Sequence, residues 1–162
     1  MIDILVYLFE TYGYADACPE EPEQLTRKLS AAGFEQSDIA EAIDWLHGLR
    51  NAARAQAPQR AAALSSLRFF TDYEQNRLDL ASRGFLGFLE RNGVLDARRR
   101  ELVIERALAL PGEEVGLSEF KVIVLMVLWQ ERASVDTLIL DELLTDEIED
   151  SDLAGQETVT LH

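Results

Sequence analysis

The chain has 162 residues, 48% of them hydrophobic, with 15 Lys and Arg against 30 Asp and Glu and a net charge of −15. That length suits one domain or two small ones burying roughly 70% of the unfolded surface, and the composition excludes a disordered chain. Such acidity opposes wholesale binding to nucleic-acid phosphates or anionic lipid.

No apolar run approaches the ~20 residues that cross a bilayer, so no membrane contact is expected. The first residues are apolar but carry Asp3 and no positive n-region, unlike a secretory signal. Cys18 is the only cysteine, so no intrachain disulfide forms. These features point to a cytoplasmic protein. The charge is uneven: residues 1–49 balance to −8, residues 50–106 to +4 and residues 107–162 to −11.

Residues 2–12 form the first expected helix, with Ile2, Leu5, Val6, Phe9 and Tyr12 on one face and Ile4 and Leu8 on another. It should therefore pack on two sides. Residues 23–32 repeat the helical period through Leu25, Leu29 and Ala32. Gly33 follows where a left-handed cap belongs, with Phe34 behind it. The next helix, about 36–49 and capped by Glu35 or Ser37, points Ile39, Ala42, Ile43, Leu46 and Leu49 inward. Two helices joined by a short Gly turn make a helix-turn-helix-like pattern. Trp45 lies at the edge of the apolar stripe, as half-buried packing or as a partner contact.

Seven of the sixteen residues from Asn51 to Ser66 are Ala, which marks 51–67 as a mobile linker and domain boundary. Arg68-Phe69-Phe70 adds at most a short extended piece. Thr71-Asp72-Tyr73-Glu74 is a capping box opening a helix to about Arg91, with Leu78, Ala81, Phe85, Phe88 and Leu89 inward and Asn92-Gly93 as its stop. Gly84 and Gly87 inside it each cost about 1 kcal/mol relative to Ala, so close approach of a neighbouring helix, or a kink, is expected there.

Asp96 caps a helix over about 97–110, with Val103, Ile104, Ala107 and Leu110 inward, and Pro111-Gly112 breaks it. Val122 to Trp129 are then eight consecutive apolar residues. Periodicity alone does not separate a buried strand from a buried helix here. Ser118 as cap, Glu119 in the first turn and the lack of a partner strand favour a central helix at 118–131. A last segment from Ser134 places Leu140, Leu143, Leu144 and Ile148 at helical spacing among acids. The acidic residues 146–162 are expected to be largely disordered.

The expected fold is thus all-α with six or seven helices: a helix-turn-helix-like bundle (1–50), the linker, and a helical bundle (68–145) around the buried helix. No metal-ligand spacing, phosphate loop or nucleophile elbow is visible, so neither enzyme activity nor a cofactor is expected. The helix-turn-helix carries Asp38, Glu41 and Asp44 and no Arg or Lys in its second helix, which disfavours DNA recognition. From His47 to Phe70 there is no acid, while Arg50, Arg54, Arg60 and Arg68 are present. Arg98, Arg99 and Arg100 follow in the first turn of a helix, where cations oppose the dipole, and Glu101 lies at i+3 from Arg98. These arginines are a solvated or internally paired face, a docking patch for an acidic partner or nucleic-acid backbone, or a surface covered by the acidic tail.

The opening Met-Ile-Asp-Ile-Leu-Val-Tyr-Leu-Phe-Glu-Thr-Tyr resembles the start of the bacterial Smg family. Ala-Ile-Asp-Trp-Leu at 42–46, Arg-Gly-Phe-Leu-Gly-Phe-Leu-Glu at 83–90, Gly-Val-Leu-Asp at 93–96, Arg-Glu-Leu-Val-Ile-Glu-Arg-Ala-Leu-Ala-Leu at 100–110 and Phe-Lys-Val-Ile-Val-Leu-Met-Val-Leu at 120–128 extend the resemblance in order along the chain. It implies a small cytosolic protein without a defined biochemical activity, and no catalytic residues. The family's usual gene neighbour, a DNA-processing protein of the recombination-mediator type, tilts the implied role towards nucleic-acid or translation housekeeping. The leading expectation is a non-enzymatic adaptor that binds a protein through Trp45, Arg98, Arg99 and Arg100 or the acidic segment. The alternative is a nucleic-acid-associated accessory protein using the basic middle.

Overall fold

The computed structural model describes residues 1–13, 15–55, 70–132 and 137–144. Over these residues the chain is all-α: α1 (Ile2–Thr11), a 3-10 turn (Ala15–Ala17), α2 (Pro22–Ala31), α3 (Gln36–Ala55), α4 (Asp72–Arg77), α5 (Leu80–Arg91), α6 (Ala97–Leu108), α7 (Leu117–Gln130) and α8 (Thr137–Leu144). The connection 56–69, with Arg60 and Arg68, and the acidic stretch from 145 onward lie outside the described residues. So does the expected cover of the arginines by the tail. Among the described residues, no helix is long and apolar enough to cross a membrane.

The apolar run forms α7, the centre of the molecule. Every residue from 120 to 129 is buried, because α7 packs against α1, α3, α5, α6 and α8. A helix apolar all round has no face to give to water, so the other helices must surround it. Its cap differs from expectation. Gly116 occupies the N-cap without a side-chain hydrogen bond, and Ser118 sits exposed in the first turn. Lys121 interrupts the apolar surface. Its ammonium is buried over the Phe85 ring at 5.3 Å and paired with Glu142 of α8 at 3.3 Å.

Helix α1 packs on both α3 and α7, and its two apolar faces become Ile4, Leu5, Val6 and Leu8 in the core. Trp129 at the end of α7 donates its indole N–H to the Tyr12 carbonyl at 2.8 Å. Helices α2 and α3 form the expected pair. Gly33, at φ 101°, donates to Ser30 and Phe34 donates to Leu29. This is the two-bond Schellman closure that a left-handed Gly permits. Glu35 takes the N-cap position of α3, its carbonyl accepting from Ile39. The helix runs to Ala55, beyond the expected end at 49, because Ala52 and Ala53 still pack against the core.

The expected helix over 72–91 is two helices, which makes eight among the described residues. The Thr71–Glu74 capping box opens α4 as expected, but Leu78 turns extended and bridges Val115. Asp79 then caps α5 by accepting from Ser82 at 2.8 Å. That restart resets the helical phase. Ser82, Leu86 and Leu89 face inward, while Ala81 and Phe88, both expected inside, face outward. The glycines differ from expectation too. A Cβ at Gly84 would meet nothing within 4 Å, and one at Gly87 would meet only Arg91 of the same helix. Among the described residues, no neighbouring helix approaches them.

Candidate interaction surface at the α3–α6 seam

Helices α3 and α6 meet through a reciprocal clamp. The Trp45 indole N–H donates to the Arg106 carbonyl at 3.0 Å, and Arg106 Nη1 donates to the Trp45 carbonyl at 3.1 Å. The guanidinium lies 5.8 Å from the centre of the Trp45 ring and pairs with Glu105 at 2.9 Å. Gly48, one turn after Trp45, makes room for it. A Cβ there would lie 3.0 Å from Arg106 Cζ and collide with Nη1. The close approach is possible only without a side chain at 48.

Beside this clamp a cleft of about 380 Å³ is lined by Met1, Glu41, Asp44, Trp45, His47, Gly48, Arg106, Ala109 and Pro111. Glu41, Asp44 and His47 are exposed, while Trp45 and Arg106 are buried. A second cleft, about 630 Å³, shares Gly48 and Arg106 and includes Glu74, Glu101 and Glu105 among its walls. The seam thus presents carboxylates around a floor of indole and guanidinium. Such an arrangement attracts cationic groups over an apolar base. Among the described residues, no three His, Cys, Asp or Glu side chains converge to hold a metal ion.

The residues singled out in the sequence are placed unevenly. Trp45 is not half-buried but 4% exposed, because its ring closes the seam and its N–H is already bonded. It is a floor rather than a protruding contact. Arg98, Arg99 and Arg100 do not form one patch, since successive helical residues point about 100° apart. Arg98 pairs with Glu131 at the end of α7 at 2.8 Å and donates to the Ala53 carbonyl at 3.1 Å. The Glu131 carboxylate against it holds the Arg98 guanidinium above its ordinary pKa, despite burial. Arg100 is 5% exposed and pairs with Glu101 at 2.9 Å and Glu90 at 3.3 Å. Arg99 is half-exposed; its backbone N–H donates to the Asp96 cap.

Two further arginines carry weight that the sequence did not reveal. Arg77 is buried and donates to the carbonyls of Leu108 at 3.1 Å, Leu110 at 2.7 Å and Gly112. It thereby satisfies the open C-terminal end of α6, where a cation also complements the helix dipole. Arg106 is the other. Nothing in the spacing of either distinguishes it from a surface arginine. Only a capping need 31 or more residues away in sequence assigns Arg77 its place.

The family model "Protein of unknown function (DUF494)" matches residues 1–151. The "Protein Smg homolog" of Aromatoleum aromaticum is 58% identical over 153 residues, spanning 93% of this chain and 96% of that protein. The protein of the same name from an Azoarcus species is 59% identical over 145 residues, spanning 90% and 93%. That of Bordetella avium is 50% identical over 147 residues, spanning 91% and 96%. No solved structure matches the chain. With a family model across most of its length and relatives above half identity over nearly all of theirs, the chain belongs to the Smg family, DUF494.

Proposed function

We propose that this protein is a non-enzymatic adaptor or regulator that binds another protein through the acid-lined cleft at the α3–α6 seam. The observation that carries this reading is where the charges lie. Arg77, Arg100 and Arg106 are buried and Arg98 is bound to Glu131, whereas Glu41 and Asp44 stand exposed around the Trp45 floor. A surface with its cations turned inward and its carboxylates outward suits a basic protein segment better than a phosphate backbone. The partner's Lys or Arg would meet Glu41 and Asp44, and its apolar stem would rest above the indole.

The test is a cross-linking pull-down from the native cell, with wild type beside the Glu41→Lys/Asp44→Lys variant. Both positions are exposed, so the variant should fold normally. A protein captured by wild type and lost from the variant is the expected result. Capture unchanged by the double reversal would overturn the cleft as the docking site. Salt-steep binding of generic DNA or RNA by the purified chain would instead support the nucleic-acid reading.

A further inference from the structure

Lys121 is a buried titratable group that neither the clamp nor the cleft uses. It lies in the second turn of α7 with 5% of its side chain exposed, and it carries an ammonium. Phe85 of α5 and Glu142 of α8 both hold that ammonium. The ring centre stands 5.3 Å from it, and the carboxylate pairs with it at 3.3 Å. Glu142 is itself 55% exposed, so α8 closes the site from the water side.

Helix α8 depends on its neighbour for its own form. It has eight residues, below the ~12–15 at which an isolated helix holds in water. The surface that supports it is α7. Leu143 is buried there and Ile139 and Leu140 are half-buried against the core, while Asp141 and Glu142 are exposed. Helix α7 also packs on α1, α3, α5 and α6, and it keeps those neighbours when α8 leaves. A short helix with so little buried apolar surface is the kind of segment that opens below the global unfolding free energy.

We propose that α8 is a strap that opens and closes over Lys121 while the rest of the fold stays intact, with the Lys121–Glu142 pair as its latch. Closed, the carboxylate compensates an ammonium taken out of water. Open, the ammonium reaches solvent beside the Phe85 ring, and the chain presents a cation that the closed form conceals. Loss of one partner from a buried pair leaves the other uncompensated, which favours the state in which that charge is hydrated. Removing the charge at 142 therefore opens the strap. Removing the charge at 121 does not, because the Glu142 carboxylate is already half in water and an apolar side chain suits the buried position.

The chain carries its own control, because Lys28, its other lysine, is exposed. The full-length protein is followed by hydrogen exchange and, in parallel, by acetylation with an N-hydroxysuccinimide ester, both read by mass spectrometry. In the wild type the amides of 141–144 should exchange at least about tenfold faster than those of 122–129. Lys121 should acetylate more slowly than Lys28. Glu142→Gln, a change at an exposed position, should speed both exchange at 141–144 and acetylation of Lys121 relative to Lys28 by about threefold or more. Exchange at 122–129 should stay as it was. Lys121→Met should leave exchange at 141–144 unchanged or slower. Any of four results would overturn the proposal. The segments 141–144 and 122–129 could exchange together, which would mean that α8 opens only with the whole fold. Lys121 could acetylate as fast as Lys28 in the wild type, or no faster in Glu142→Gln than before. Lys121→Met could exchange faster at 141–144, which would make the pair an ordinary stabilising contact rather than a latch.

Discussion

Burying a guanidinium is costly unless its donors are satisfied, and at the α3–α6 seam Arg106 gives Nη1 to the Trp45 carbonyl and Nη2 to Glu105, leaving only Nε without a partner among the described residues. Gly48 supplies the space. The two residues should therefore be coupled in a measurable way. Gly48→Ala alone removes the room for Nη1, and the loss of a charged hydrogen bond, ~1.5–3 kcal/mol, outweighs the ~1 kcal/mol helix-propensity gain of Ala. Thermal unfolding should show Gly48→Ala destabilised by about 1 kcal/mol. In an Arg106→Ala background the same change should become stabilising by up to ~1 kcal/mol. A double-mutant cycle without that reversal of sign would remove Gly48 as the residue that admits Arg106. The glycine stood in the sequence without a signal of this role, because the atom it accommodates is supplied from 58 positions away. Trp45 was legible as apolar packing; the bond to Arg106 that takes up its N–H was not.

At the scale of elements, legibility depended on whether the determining forces were local. The Thr71 capping box, the Asp96 cap and the Gly33 closure were all readable, since each is satisfied within a few residues. The break at Leu78 was not. Helical periodicity runs across it, and what draws Leu78 extended is a bridge to Val115 and the hydrogen bond from Val115 to Arg77 at 2.6 Å. The local sign of the break is Asp79, a capping residue three positions before Ser82. The central helix α7 was predictable in type and nearly in extent, because eight apolar residues cannot face water. A charge inside it should be intolerable. Leu125→Asp removes a buried side chain, about 2–5 kcal/mol, and adds an uncompensated buried charge, about 3–5 kcal/mol, against a total stability of ~5–15 kcal/mol. Circular dichroism should find that variant unfolded or expressed only as aggregate; a soluble, cooperatively melting Leu125→Asp would show that α7 is not the core.

Over the whole molecule, the described residues on both sides of 56–69 contribute to one hydrophobic cluster. It extends from Ile4 through Leu46 and Leu86 to Leu143. Helices α1 and α3 contact α7 directly. A protease site placed between Pro58 and Ala63 checks what that sharing means for folding. After cleavage the two fragments should copurify under native conditions and separate in denaturant. Fragments that part without denaturant would mean that the units before and after 51–67 fold independently.

The sequence by itself determined the all-α class, the Smg resemblance, the central buried helix and the closures at Gly33, Thr71 and Asp96. Those follow from composition, from periodicity and from interactions closed within a turn. Only the tertiary structure decided which arginines are structural, which face of α5 is left outside and where the exposed carboxylates gather. Each of these depends on partners far apart in the chain, and a one-residue change of helical phase at Asp79 moves Phe88 from core to surface. Apolar pattern says that a side chain must be buried somewhere; packing between distant helices says against what.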